Sequence, residues 1–131
     1  MSAPSDHAPS DQAIFDFARN AVGSVWALEL MLLLRRTAPK AWTPQALVGE
    51  MRASAAIVDA SLARLETAGL LHRDDDLLTF APASAALTTL CDALEEKYRT
   101  SPVLLINAIA SPAKSGLQAL ADAFRLKGTD P

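Results

Sequence analysis

Residues 42–81 read WTPQALVGEMRASAAIVDASLARLETAGLLHRDDDLLTFA, and this stretch decides the fold. Thr43 is a favourable N-cap, and Pro44 suits the first helical position, where its missing N–H costs nothing. Trp42 and Leu47 occupy the two positions of a hydrophobic staple, which fixes the approach angle of the helix they flank. Leu47, Val48 and Met51 give that helix an apolar face, and Arg52-Ala53-Ser54 supplies a short turn. Ser54 caps a second helix, in which Val58, Leu62 and Leu65 recur at helical spacing. Gly69 then stands where a left-handed residue ends a helix. After it the period shortens. LLHR and LLTFA flank Asp74-Asp75-Asp76, which predicts two short strands around an aspartate turn.

Outward from this stretch the chain reads as helices. Residues 1–10 are rich in Ser, Ala, Pro and Asp and predict a disordered tail. A short helix is expected from Asp11, with Ile14, Phe15, Ala18 and Val22 on one side and a break at Gly23-Ser24. The next helix, to about Arg36, is apolar nearly all round: Val25, Trp26, Leu28, Leu30, Met31, Leu32, Leu33 and Leu34. Such a helix must be covered on several sides, by the rest of the domain, by the N-terminal helix or by a second subunit. Beyond the hairpin, a helix from Pro82 to about Arg99 carries the stripe Leu87, Leu90, Cys91, Leu94 and Tyr98. Ser101-Pro102 and Ser111-Pro112 each restart the chain, as VLLINAIA and as a last helix lined by Leu117, Leu120, Ala121 and Phe124. The division expected is a tail (1–10), a domain with its N-terminal helix (11–99) and a C-terminal helical extension (100–131).

Composition bounds the function. Half of the 131 residues are hydrophobic, so the chain either buries a large share of its surface or offers an apolar face to a partner. A net charge of −3 gives no general attraction to polyanions. One cysteine excludes an internal disulfide framework and suits a reducing compartment. No basic-then-apolar leader opens the sequence, and VWALELMLLL, interrupted by Glu29, is far short of the ~20 residues of a membrane span. A soluble, cytoplasmic protein with no membrane association is expected. His7 and His72 stand apart from other ligands, and three consecutive aspartates in a tight turn cannot all face one ion, so no metal is expected. Cys91 falls within an apolar stripe and reads as a core thiol rather than a redox sensor. There is no glycine-rich phosphate loop, nucleophile elbow or CxxC, hence no expected enzyme or cofactor.

The capped helix VDASLARLETAGLL and the hairpin after it resemble bacterial winged-helix transcription regulators, in the broad MarR, ArsR and IclR sense. The pattern is also similar to the N-terminal dimerisation module of small-molecule O-methyltransferases, a winged helix that does not read DNA. The fold class expected is therefore mainly α, a winged helix-turn-helix with a short β-hairpin wing and additional N- and C-terminal helices. The regulator resemblance implies a dimeric, DNA-binding transcription regulator whose second helix enters the major groove of double-stranded DNA. Arg52, Ser54, Ala55, Ala56, Ala60, Ser61, Arg64 and Arg73 are then the candidates to face DNA. Ile14, Phe15, Leu104, Leu105, Ile109, Leu117, Leu120 and Phe124 are the candidates for a homodimer or a protein partner, unless the terminal helices fold back on their own domain.

The charges point the other way. Over residues 24–81, Arg35, Arg36, Lys40, Arg52, Arg64 and Arg73 are outnumbered by Glu29, Glu50, Asp59, Glu66, Asp74, Asp75 and Asp76. Non-specific DNA affinity comes almost wholly from neutralised phosphates, and an acidic wing neutralises none. The second reading is a winged-helix module for protein–protein association. A third is a small-molecule sensor with a pocket between the terminal helices and the domain, to which Trp26, Trp42 and Phe124 would contribute. The charge on the exposed face of the second helix separates the first two readings.

Overall fold

A serine or threonine side chain caps each of five helix starts, and these caps set most of the boundaries. The computed structural model describes residues 8–110. Over that range the chain is mainly helical with one two-stranded antiparallel hairpin, a layout compatible with a winged helix. Helix α1 (Asp11–Phe17) is capped by Ser10 and widens into a π-turn (Ala18–Val22), which ends at Gly23 with φ +85°. Ser24 caps α2 (Val25–Thr37), Thr43 caps α3 (Pro44–Met51) and Ser54 caps α4 (Ala55–Thr67). Strands β1 (Leu71–Asp74) and β2 (Leu77–Phe80) follow, then α5 (Ala85–Thr100) and α6 (Pro102–Ala110). The expected last helix, with Leu117, Leu120 and Phe124, lies outside the described residues.

The α4 terminus shows how few residues fix the path. Gly69 has φ +80°, its N–H donates to Glu66 O, and the Leu70 N–H donates to Leu65 O. This double closure satisfies two carbonyls of the last turn and turns Leu70 back onto Leu65, both fully buried. The strands pair Leu71 with Phe80 and Asp74 with Leu77, so the loop is Asp75-Asp76, with Asp75 at φ 60°. Asp tolerates that conformation better than most side chains. Trp42 adds a bridge outside the hairpin: its N–H donates to Leu78 O at 2.9 Å and its carbonyl accepts from Leu78 N at 2.8 Å. Its indole Nε1 donates to Thr37 Oγ1 at 2.9 Å. The staple residue thus also ties the loop before α3 to the hairpin. One boundary differs from expectation. The helix after the hairpin starts at Ala85, because Ser84 caps it and the Ala81 and Ala83 N–H groups still pair with Leu70 and Gly69 carbonyls.

Helix α2 is the centre of the core. From Ala27 to Leu34 every residue except Glu29 is buried. The cover comes from the chain itself: α4, β2 and the π-turn pack on it, and from α5 Cys91 Sγ approaches Met31 Sδ to 3.9 Å. Trp26, in its first turn, is the exception at 44% exposure. Polar contacts fix α5 along the same helix. Arg35 Nε donates to Glu95 at 2.7 Å and its Nη2 bonds Asp92, while the Tyr98 hydroxyl donates to Glu29. Lys97 pairs with Asp11 of α1 at 3.0 Å. Of the residues expected at an interface, Ile14, Leu105 and Ile109 are buried in the chain's own core, and Phe15 is half-buried. Their helices fold back because α6 packs on the π-turn, α5 and α1. Leu104, at 54% exposure, does point outward, beside Val103 at 70%. No single helix among the described residues is long and apolar enough to cross a membrane.

Two groups on α5 couple this arrangement to pH. The bond to the Glu29 carboxylate pushes Tyr98 up to about 12 from 10.0, and burial pushes the Cys91 thiol up to about 11 from 9.0. Both pKa values rise on folding, so both groups stabilise the fold fully at neutral pH. That contribution is lost as pH climbs past their unfolded values and through their folded ones. Urea midpoints are expected to hold steady up to about pH 9 and then fall, and Tyr98→Phe should flatten the upper part of that fall. A midpoint indifferent to pH between 9 and 12 in the unsubstituted chain would contradict the assignment.

Candidate interaction face on helix α4

Helix α4 buries Val58, Leu62 and Leu65 against α2 and α3, as their spacing predicts. Ser61 is buried with them at 6% exposure, which corrects its expected outward position. It stands three residues after Val58 and four before Leu65, and the apolar helix α2 covers a wider stripe of α4 than the leucine spacing alone implies. Ser61 lines a narrow crevice with Trp26, Leu30, Met51, Ala53, Ile57 and Val58. The outward face is left with Ala55, Ala56, Asp59, Ala60, Ala63, Arg64 and Thr67. Ser54 is exposed too, but its Oγ accepts from Ile57 N at 3.1 Å and serves as the cap.

The two flanks of this face differ. On one flank Glu66 takes Arg73 of the hairpin in a two-pronged pair, Nε to Oε2 and Nη2 to Oε1, each at 2.9 Å. That bond holds the Glu66 carboxyl below its ordinary range and raises the Arg73 guanidinium. Asp59, seven residues before Glu66 on α4, and Asp76 of the hairpin add to the same rise. The hairpin's one arginine is therefore surrounded by negative charge. On the other flank Arg64 reaches over Gly23 to the π-turn. Its Nη2 donates to Asn20 O at 3.1 Å and lies 3.5 Å from Arg19 O. No side chain fits beneath it, since a Cβ on Gly23 would stand 2.2 Å from Arg64 Nε. Asn20, Ala21, Ala60, Ala63, Arg64, Thr67 and Ala68 then line an open groove of about 610 Å³ between the π-turn and α4.

Arg52 ends α3 with φ 55° and is exposed, and no carboxylate pairs with it among the described residues. Arg36 shares that lack of a carboxylate, and Lys40 stands 4.0 Å from the Trp42 ring centroid. The Asp74–Asp76 turn is exposed. No group of three His, Cys, Asp or Glu residues among the described residues is arranged to hold a metal ion. Cys91 is buried, and its raised pKa leaves it as a protonated thiol at neutral pH.

The sequence singled out Arg52, Ser54, Ala55, Ala56, Ala60, Ser61, Arg64 and Arg73 as one surface. The fold brings Ala55, Ala56, Ala60 and Arg64 onto the outward face of α4, leaves Arg52 at its approach and turns Ser61 inward. Asn20 and Ala21 were not anticipated, because a groove wall supplied from forty residues away leaves no periodic trace. The exposure of Trp26 was equally hidden within an apolar run. No protein-family model matches this chain, and neither a curated protein nor a solved structure matches it.

The Gly23–Arg64 contact is open to a direct test. Gly23→Ala adds a left-handed penalty of about 1–2 kcal/mol and expels the guanidinium from the π-turn carbonyls. In chains already carrying Arg64→Ala the clash vanishes and only the backbone penalty remains. A double-mutant cycle by urea unfolding should therefore give a non-zero coupling between the two positions. Additive effects would show that the contact contributes nothing.

Proposed function

We propose that this chain is a winged-helix-like module for protein–protein association and that α4 is its docking face rather than a DNA-reading helix. The observation that carries this reading is the commitment of its arginines. Arg64 is spent on the carbonyls of the π-turn, and Arg73 on Glu66. What remains on α4 is a run of alanines flanked by Asp59, with three exposed aspartates at the hairpin tip. Phosphate contacts come mainly from Arg, Lys and polar side chains, and base edges are read by Arg, Asn and Gln. This face offers few of them. Alanines, an exposed Trp26 and a groove of about 610 Å³ instead suit close approach by another polypeptide.

One feature favours the second reading, a dimeric DNA-binding regulator. Arg52 is exposed at the turn before α4 with no carboxylate partner among the described residues, where a phosphate contact would orient that helix.

Fluorescence anisotropy with random and self-derived duplexes across a salt series separates the two. The association reading predicts binding no tighter than ~10⁻⁴ M at physiological salt, the weak end of non-specific affinity. Sub-micromolar binding that weakens steeply with salt would overturn it in favour of the regulator.

A further inference from the structure

We propose, resting on the association reading, that the crevice between α2, α3 and α4 seats an apolar side chain from an acidic amphipathic segment of a different protein, and that Arg52 takes the carboxylate beside it. The floor of the crevice is Leu30, Val58 and Ser61, all buried, and its rim is Trp26, Met51 and Ile57, from three different helices. Trp26 is 44% exposed in the first turn of α2, and its indole N–H donates to nothing among the described residues. A ring of that size left in water marks a contact surface, since Trp, Met and Arg are the side chains enriched at such surfaces. Ser61 is a second mark. At 6% exposure it makes no side-chain hydrogen bond. Every fully sealed side-chain polar atom among the described residues has a partner, so the Ser61 hydroxyl, which has none, is open to the crevice it lines. A visiting segment meets that hydroxyl and the indole N–H with its own acceptors.

Shape alone selects no occupant, and charge does. Arg52 is exposed and stands between Met51 and Ala53, which both line the crevice. Arg64 and Arg73 are held by the π-turn and by Glu66. Arg52 has no partner among the described residues, not even Glu50 two positions earlier. Asp59 does not cancel it, because at about 100° per residue it lies on nearly the opposite side of α4 from Ile57. A carboxylate satisfies a guanidinium with two parallel bonds. A helical segment presents that carboxylate and an apolar anchor together when they stand three or four residues apart. A phosphate backbone would use Arg52 and leave Trp26 and the crevice uncovered, so the two occupants differ in what they touch.

Nitrogen–proton correlation spectra of the full chain test this with a blocked peptide of repeated Glu-Leu-Leu-Ala and its counterpart with lysine for each glutamate. The two tryptophans supply reporter and control. Trp26 rims the crevice, while Trp42 is buried with its indole bonded to Thr37. Up to ~1 mM, the acidic peptide is expected to move the Trp26 indole signal and leave that of Trp42 in place, and the basic peptide to move neither. Trp26→Ala, followed through the Ala53 and Ile57 amides, should weaken binding about 30-fold, the size of an interface hot spot. Arg52→Glu should exchange the preference so that the lysine peptide binds, which a merely structural role for Arg52 would not produce. If that variant fails to fold, Arg52→Gly removes the charge at a left-handed position that glycine adopts freely, and binding should fall ~10-fold. Silence at Trp26 with the acidic peptide, an equal response to both peptides, or a preference unmoved by Arg52→Glu would overturn the proposal. So would a Trp26 signal that shifts on dilution of the free chain, since the occupant is then a second copy. With duplex DNA inert as well, the first three results leave association through another surface standing. Tight duplex binding that weakens steeply with salt overturns the reading beneath it.

Discussion

The burial of α2 is the constraint on which the rest depends. A helix with apolar residues on nearly every side is stable in water only when wrapped, and each leucine it removes from solvent contributes on the order of 2 kcal/mol. Here the wrapping is supplied by α4, the hairpin, the π-turn and α5. Placing α4 on one side of α2 and the π-turn on another brings those two elements together at the start of α2. Gly23 stands at that junction, and its missing side chain is what lets Arg64 lie across it. The groove beside α4 follows from packing a leucine-rich helix.

Polar contacts then fix orientation rather than supply the bulk of stability. Arg35 bridges α2 to Asp92 and Glu95, Tyr98 reaches Glu29, and Lys97 reaches Asp11. All run from α5 to the helices before the hairpin, so the C-terminal half is latched to the N-terminal half along one side. Partly exposed pairs of this kind contribute little each, and their value lies in selecting one register of α5 on α2. The same logic governs the functional face. An arginine paired with a carboxylate or with backbone carbonyls still carries charge, but the donors engaged in those bonds are withheld from a phosphate.

Much of the fold was legible in the sequence because it is written in local chemistry. Ser24, Thr43 and Ser54 cap, Gly23 breaks the first helical segment, Gly69 turns left-handed, and the three aspartates make a turn, all through neighbours within a few residues. Two local details were not resolved: Ser84 rather than Pro82 sets the start of α5, and Trp42 bridges to Leu78. The first turns on a competition between two adjacent start signals, the second on a strand partner thirty-six residues away. The candidate face was legible in its members but not in their states. That Arg64 would be held by Asn20, Arg73 by Glu66, and Ser61 turned inward depends on which elements meet, and periodicity carries no such information.

The claim on which the functional reading turns is that Arg64 works within the fold, and its most direct test is the stability of Arg64→Ala by urea unfolding. If the guanidinium serves the Arg19 and Asn20 carbonyls, the substitution should cost about 1 kcal/mol, below the usual worth of a charged hydrogen bond because the site is exposed. Stability unchanged within a few tenths of a kcal/mol, accompanied by lost affinity for duplex DNA, would contradict the account. It would return Arg64 to the role of a reading residue.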